Sequence, residues 1–247
     1  MKRQIDFERR DDARKIFKGV LDEQSLYSMY QIGKQLKIKH FSGFVKTGKE
    51  SSVILAETNK GQKLAIKVYA IEAANFRNIK KYIIGDRRFT SIKNSKRDIV
   101  FAWCRKEFSN LQIAFLAGVK CPRPYSFKNN ILVMDFIGDD NVAPRLMEVV
   151  PKDPKNVIEL ILVNMKKLYD AGIIHGDLSP YNILLHEEIP YFIDFSQGVL
   201  LDHNIADELL ERDISNIVNY ANKIGVSLNA DDVRQRLGAK ERHEQKT

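Results

Sequence analysis

Cysteine is nearly absent from this chain. Cys104 and Cys121 are the two among 247 residues, too few for a disulfide framework and without metal-ligand spacing. They read as reduced, packed thiols of a cytoplasmic protein. Long apolar runs are also missing: none reaches the ~18 residues that a membrane helix needs, so no membrane partner is expected. Met1–Asp6 lacks the apolar stretch of a secretory signal. There is no internal repeat and no low-complexity tract. The 44% of hydrophobic residues, with 9% aromatic, is enough for a core, and the length suits one two-lobed unit or two small domains.

Acidic residues are scarce in one place. Between Arg77 and Arg97 stand Arg77, Lys80, Lys81, Arg87, Arg88, Lys93, Lys96 and Arg97 against the single acid Asp86, which is +7 of the chain's +8. Phe76, Tyr82 and Phe89 are interleaved with them. Such a segment attracts phosphate backbones or acidic partners, or it is a solvated basic loop; both readings stay open. Thr90, Ser91 and Ser95 within it are candidate self-phosphorylation sites.

The patterning predicts an α+β chain. Leu21, Leu26, Met29, Tyr30 and Leu36 suggest short amphipathic helices before residue 40. Ser52–Leu55 and Lys63–Tyr69 read as a hairpin around Thr58-Asn59-Lys60-Gly61. Val100, Phe101, Cys104, Phe108, Leu111 and Phe115 make a long helix that Gly118 would end. A second hairpin spans Tyr125–Met134. Gly138–Pro144 reads as a linker. Lys155–Ala171 is a helix closed by Gly172, and helices are expected at about 204–224 and 231–237.

Chemistry is concentrated in Ile174-His175-Gly176-Asp177-Leu178-Ser179-Pro180-Tyr181-Asn182 and in Ile193-Asp194-Phe195-Ser196. An Asp, an Asn five residues on and a later Asp among hydrophobics suit phosphoryl transfer: Asp177 orients the attacking hydroxyl, while Asn182 and Asp194 hold Mg²⁺, which takes hard oxygen ligands. Turn chemistry is the bland alternative. His175 is expected to bond the metal-loop backbone, and Arg212-Asp213 to brace the catalytic loop. Upstream, Ala65-Ile66-Lys67-Val68 is a Val-Ala-Ile-Lys type of strand, and Lys67 needs an anion, with Glu107 as the best carboxylate. The turn Val45–Ser52 is a phosphate-loop candidate in which Lys49 and Ser51 stand beside one central glycine rather than the three of G-x-G-x-x-G. Asp135, Phe136 and Ile137, after Met134, would bond an adenine edge through their backbones.

On these motifs the chain resembles the RIO-type atypical serine/threonine protein kinases, Rio1 branch. The resemblance rests on Thr47-Gly48-Lys49-Glu50-Ser51, Asp86-Arg87-Arg88-Phe89, Trp103–Leu111, Val133–Gly138, the Ile174–Asn182 loop and Ile193–Val199, in that order over about residues 20–220. Only about 40 residues precede the phosphate loop, which favours Rio1 over Rio2 with its winged-helix domain. The resemblance implies a bilobal kinase-like fold, an antiparallel sheet plus helix followed by a mainly helical lobe, without activation segment or peptide-binding subdomains. The expected division is a helical extension over 1–40, a first lobe over 41–137 with a mobile basic loop about 77–97, a second lobe over 138–237, and a polar tail over 238–247. It also implies ATP with Mg²⁺ or Mn²⁺, kinase or ATPase activity with autophosphorylation, and a role in small ribosomal subunit maturation, with rRNA contact through the basic segment. By motif, Lys67, Asp177, Asn182 and Asp194 carry over as nucleotide contact, catalytic aspartate and two metal ligands, and Asp194 is also a candidate phosphoacceptor. The chain departs from the pattern at Lys46 for Ser, Ser51 for Ala and Ser179 where many kinases place Lys, and no Ala-Pro-Glu follows Asp194. Competing readings are an aminoglycoside- or choline-type phosphotransferase, a nucleotide-gated assembly switch using Asp194, and the small kinase of tRNA-modification complexes.

Overall fold

The computed structural model describes residues 5–6, 21–72, 76–89, 92 and 95–239. Chain contacts divide it into two compact units: residues 1–112 with 122–142, and residues 113–121 with 143–247.

The first unit is built on a six-stranded sheet with every pair antiparallel. Its strands are β1 (Ile5–Asp6), β2 (Ile38–Thr47), β3 (Ser51–Thr58), β4 (Lys63–Tyr69), β5 (Pro124–Lys128) and β6 (Ile131–Asp135), in spatial order β1-β2-β3-β4-β6-β5. Alternation in β3 turns Ile54 and Ala56 inward, as a half-buried strand requires. β4 lies in the middle and is buried from Leu64 to Tyr69. Helix α1 (Glu23–Gln35) is capped by Asp22, whose carboxylate accepts from Ser25 N at 2.7 Å. Its Met29 and Ile32 close a core with Phe41, Ile54, Leu64, Ile66, Val68, Ile131 and Val133. Each such side chain contributes about 1.5–3 kcal/mol of burial.

Two expectations change here. Residues before 41 are more than a helical extension: α1 packs into the sheet core, and β1 pairs with β2 through Ile5↔Phe41. The stretch 77–97 is not simply a loop. It contains most of α2 (Phe76–Ile83), whose Ile79, Tyr82 and Ile83 are buried. These three lie at i, i+3 and i+4, a helical face that the dense charge obscures. Thr90 and Ser91 fall outside the described residues, as do Lys93 and the tail beyond residue 239.

Helix α3 (Lys96–Leu116) carries Glu107. The division between the units falls near its end rather than at residues 137–138, so Ile113–Cys121 groups with the second unit.

In the second unit, α4 (Pro154–Asp170) starts at Asp153, which accepts from Asn156 N at 3.0 Å, and ends where Gly172 takes φ 80°. Short strands follow: β7 (Ile173–Ile174) pairs with β10 (Val199–Leu200), and β8 (Ile183–His186) pairs with β9 (Ile189–Phe192). Helices α5 (Ala206–Lys223) and α6 (Ala230–Leu237) complete it. No helix among the described residues is long and apolar enough to cross a membrane.

Candidate active site

In the first unit, Lys67 sits on β4 and Glu107 on α3, forty positions apart. The Lys67 ammonium donates to Glu107 Oε1 at 2.9 Å, and both side chains are buried, at 7% and 1% exposure. A lone buried charge is costly, so the pair holds each member ionised. The Lys67 ammonium also lies 5.0 Å from the centre of the Tyr69 ring. Cys104, one turn before Glu107, is fully buried, and burial pushes its thiol far up despite the nearby Lys67 charge. It remains a neutral thiol, so no thiolate nucleophile stands beside the pair.

In the second unit the loop from Gly176 to Asn182 is held by α5. The Asp213 carboxylate accepts from Gly176 N at 2.8 Å and Leu178 N at 2.7 Å. Arg212 donates to Gly176 O and to Gln197 Oε1, and Asn216 donates to Leu178 O at 2.9 Å. Only glycine fits at 176: its φ is +76°, and an added Cβ would meet Gln197 O at 2.7 Å. His175 Nε2 donates to Ile193 O at 3.0 Å, tying this loop to the strand end before Asp194. Burial of Asp213 pushes its carboxyl up to about 7 against the two backbone donors.

The loop presents Asp177. Asn182 Nδ2 donates to Asp177 Oδ2 at 2.9 Å and to its carbonyl at 2.8 Å, so the Asn182 amide oxygen is turned away from Asp177. Asp194 has left-handed backbone, φ 66° and ψ 63°, and its Oδ1 accepts from Ser196 Oγ at 2.8 Å. The Asp177 carboxyl is shifted upward first by burial and then by the Asp194 charge; Arg212 and the Asn182 bond act the other way. A cation bound beside the two carboxylates would relieve this repulsion. One carboxylate from Asp194, one amide oxygen from Asn182 and the nearby Asp177 form a hard-oxygen donor set of the kind Mg²⁺ uses when phosphates complete its shell. Among the described residues no group of three or more His, Cys, Asp or Glu is placed to hold a metal ion.

The remaining candidates are local to the first unit. Lys49 is exposed in the turn between β2 and β3, and Ser51 begins β3 opposite Tyr69. Gly48 N donates to Ser51 O at 3.0 Å, so that N–H is committed to closing the turn. Met134 and Asp135 end β6, with Phe136 and Ile137 after them. Asp135 N donates to Arg123 O at 2.9 Å, and its carboxylate accepts from Tyr125 Oη at 2.7 Å. Asp135 N is therefore committed, so a backbone bond from Asp135 to an adenine edge would run through its carbonyl.

A RIO-domain family model matches residues 52–235. The chain is 37% identical over 223 residues to the RIO-type serine/threonine-protein kinase Rio1 of Haloferax volcanii, covering 90% of this chain and 77% of that one. It is 38% identical over 224 residues to the Methanocaldococcus jannaschii protein of the same name, with the same coverage. This chain belongs to the RIO family of protein kinases, in its Rio1 branch. The human serine/threonine-protein kinase RIO1 is 34% identical over 207 residues, which are 81% of this chain and 36% of that one. Among solved structures, the Rio2 kinase of Chaetomium thermophilum, in an ADP/Mg²⁺-phosphoaspartate complex, matches with a TM-score of 0.66 at 21% identity, covering 88% of this chain and 67% of that one. It has the fold of a RIO kinase.

Against this family framework, Asn216 carries no motif signal and is brought to the loop only by folding. Lys106, fully buried on α3, had a signal: it falls inside the buried stripe of Trp103, Cys104, Glu107 and Asn110, where a basic residue is out of place.

Proposed function

We propose that this RIO kinase binds ATP with Mg²⁺, Mn²⁺ serving in its place, and phosphorylates serine or threonine hydroxyls, its own included, with hydrolysis when water takes the acceptor position. The observation that carries this reading is the Asp177, Asn182 and Asp194 cluster, where like charges gather beside amide and carboxylate oxygens. When bound, ATP supplies the phosphoryl group and Mg²⁺ offsets its charge. Lys67, oriented by Glu107, offers its ammonium to phosphate oxygens. Asn182 fixes Asp177 through Oδ2, so Asp177 Oδ1 receives and orients the acceptor hydroxyl and takes its proton. Arg212 and Asp213 hold the loop backbone in register.

A role in small ribosomal subunit maturation with rRNA contact is supported by the basic segment. Lys81, Arg87 and Lys96 are exposed there, while Arg88 is committed to Asp86 by two bonds, at 2.9 and 2.7 Å. RNA affinity that falls steeply between low and high salt is expected, and salt-independent binding would remove the RNA role.

The direct test is incubation with γ-labelled ATP and Mg²⁺. Hydroxylamine-resistant label that disappears in Asp177→Asn is the expected result. Absence of both labelling and ATP turnover would overturn the enzymatic reading. Hydroxylamine-labile label lost in Asp194→Asn would instead identify a phosphoaspartate switch.

A further inference from the structure

Strand β6 divides its side chains between two faces. Met134 pairs with Ala65 and Leu132 with Lys67, so these share one face. Asp135, paired with Leu64, belongs to the other face, where Ile131 and Val133 join the core with Met29 and Ile32 of α1.

Tyr125 reaches that second face through a β-bulge. Pro124 pairs with Met134 and Ser126 with Val133, which makes Tyr125 the extra residue. In an unbroken register counted back from Ser126, Tyr125 would stand opposite Met134, on the Lys67 face. The bulge re-aims it: Tyr125 packs against the core, and its hydroxyl donates to Asp135 Oδ1 at 2.7 Å. Gln62 Nε2 donates to Tyr125 Oη at 2.5 Å and lies 3.5 Å from Asp135 Oδ1. Gln62 is itself tied to the β3–β4 turn, its N–H donating to Thr58 Oγ1 at 3.2 Å and its carbonyl accepting from Thr58 N at 2.9 Å. On the other side, Arg123 N donates to Asp135 Oδ2 at 3.3 Å, and Arg123 O accepts from Asp135 N at 2.9 Å. Pro124 holds the Arg123 backbone extended.

Asp135 thus has its N–H and both carboxylate oxygens held. With the amide and the side chain both fixed, the position of its carbonyl carbon follows from the tetrahedral Cα. The chain beyond is held too, where Lys63 Nζ donates to Asp139 O at 2.5 Å. A fixed carbonyl discriminates between purines. Adenine presents an amino donor at the position where guanine presents an oxygen, so the first bonds and the second is repelled. A carbonyl free to turn away would tolerate both.

We infer that Tyr125 and Gln62, acting through Asp135, are positioning residues that set a preference for an amino purine over an oxo purine. The inference rests on the reading of Asp135 as a backbone contact to the adenine edge. The network lies on the face away from Lys67, so it acts without touching the nucleotide.

The experiment is calorimetric titration of the full chain, of Tyr125→Phe and of Gln62→Ala with ADP, GDP and inorganic tripolyphosphate, each with Mg²⁺, alongside melting temperatures. Tyr125→Phe keeps the ring in the core and removes the hydroxyl alone. It is expected to lower the ratio of ADP to GDP affinity about fivefold, the scale of one hydrogen bond, and the exposed Gln62→Ala about twofold. Tripolyphosphate affinity should not change in either. A lowered melting temperature with an unchanged ratio in both variants would show that the network merely braces the sheet edge, and would overturn the inference. Equal weakening of tripolyphosphate would overturn it as well, by moving the effect to the phosphates. If the unmodified chain binds ADP and GDP alike, the adenine-edge reading fails and the inference fails with it. If that chain prefers ADP and both variants keep the preference, the inference fails alone. Should Tyr125→Phe not fold, Gln62→Ala decides by the same ratio.

Discussion

In the first unit a buried lysine and glutamate cancel one another at 2.9 Å, whereas in the second the Asp194 charge raises the Asp177 carboxyl against the pull of Arg212 and an Asn182 bond. The first arrangement is complete within the polypeptide. The second sets two like charges in one another's field, a repulsion that a bound cation would offset. Damage to the paired half should therefore register in stability, and damage to the like-charged half in activity.

The largest expected effect belongs to the like-charged half. Asp194→Asn should lower ATP-dependent phosphorylation by about a thousandfold, while the melting temperature stays level or rises because a repulsion is removed. A melting temperature lowered together with activity would show that Asp194 is structural. In the paired half, Lys67→Met leaves Glu107 as a lone buried charge and should cost about 3–5 kcal/mol of stability. Lys67→Met with Glu107→Leu should recover most of it in chemical denaturation. Failure to recover would mean that the two residues do not act as a pair.

The two units should also respond to pH with opposite sign. Lys106 is pushed down to about 7 from 10.5, first by burial and then by Arg88, against the pull of Asp86. The unfolded chain then binds more protons between these values, so stability from this group rises with pH from about 7 to 10.5 and is lost as pH falls through about 7. Asp213 is pushed up to about 7 from 3.8, so its folded form holds the extra proton, and stability falls as pH rises from 3.8 to about 7. Denaturation midpoints against pH for Lys106→Met and Asp213→Asn, each compared with the parent, should remove one slope apiece. The smallest effect is expected at the exposed Lys166–Asp170 pair, 2.5 Å apart on α4, where Lys166→Ala should change stability by under about 0.5 kcal/mol.

Much of the fold was legible because its signals are local. The hairpin turns, the helix-ending Gly118 and Gly172 at φ 76° and 80°, and the apolar spacing of α3 and α4 are set by neighbours within a few residues. The β4 lysine and the α3 glutamate could be matched across forty residues because an isolated buried charge demands a partner. Helix α2 was missed because the dense charge around it hid the apolar spacing of Ile79, Tyr82 and Ile83. The backbone bonds Asp135 N to Arg123 O and Gly48 N to Ser51 O were not legible, because they depend on how the strands and turn close.

The sequence by itself determined the chemical inventory, its order and its spacing: Lys67, Glu107, Asp177, Asn182 and Asp194 on strand, helix and loops of the right kinds. The tertiary structure alone decided which charges are satisfied inside and which face water. Lys106 is buried and Lys81 is exposed, although both are lysines in helices, and Arg88 is spent on Asp86 while Arg87 is exposed. Residue type and period are written in the chain. Burial and partner choice arise from segments that are distant in sequence and meet only when the core forms.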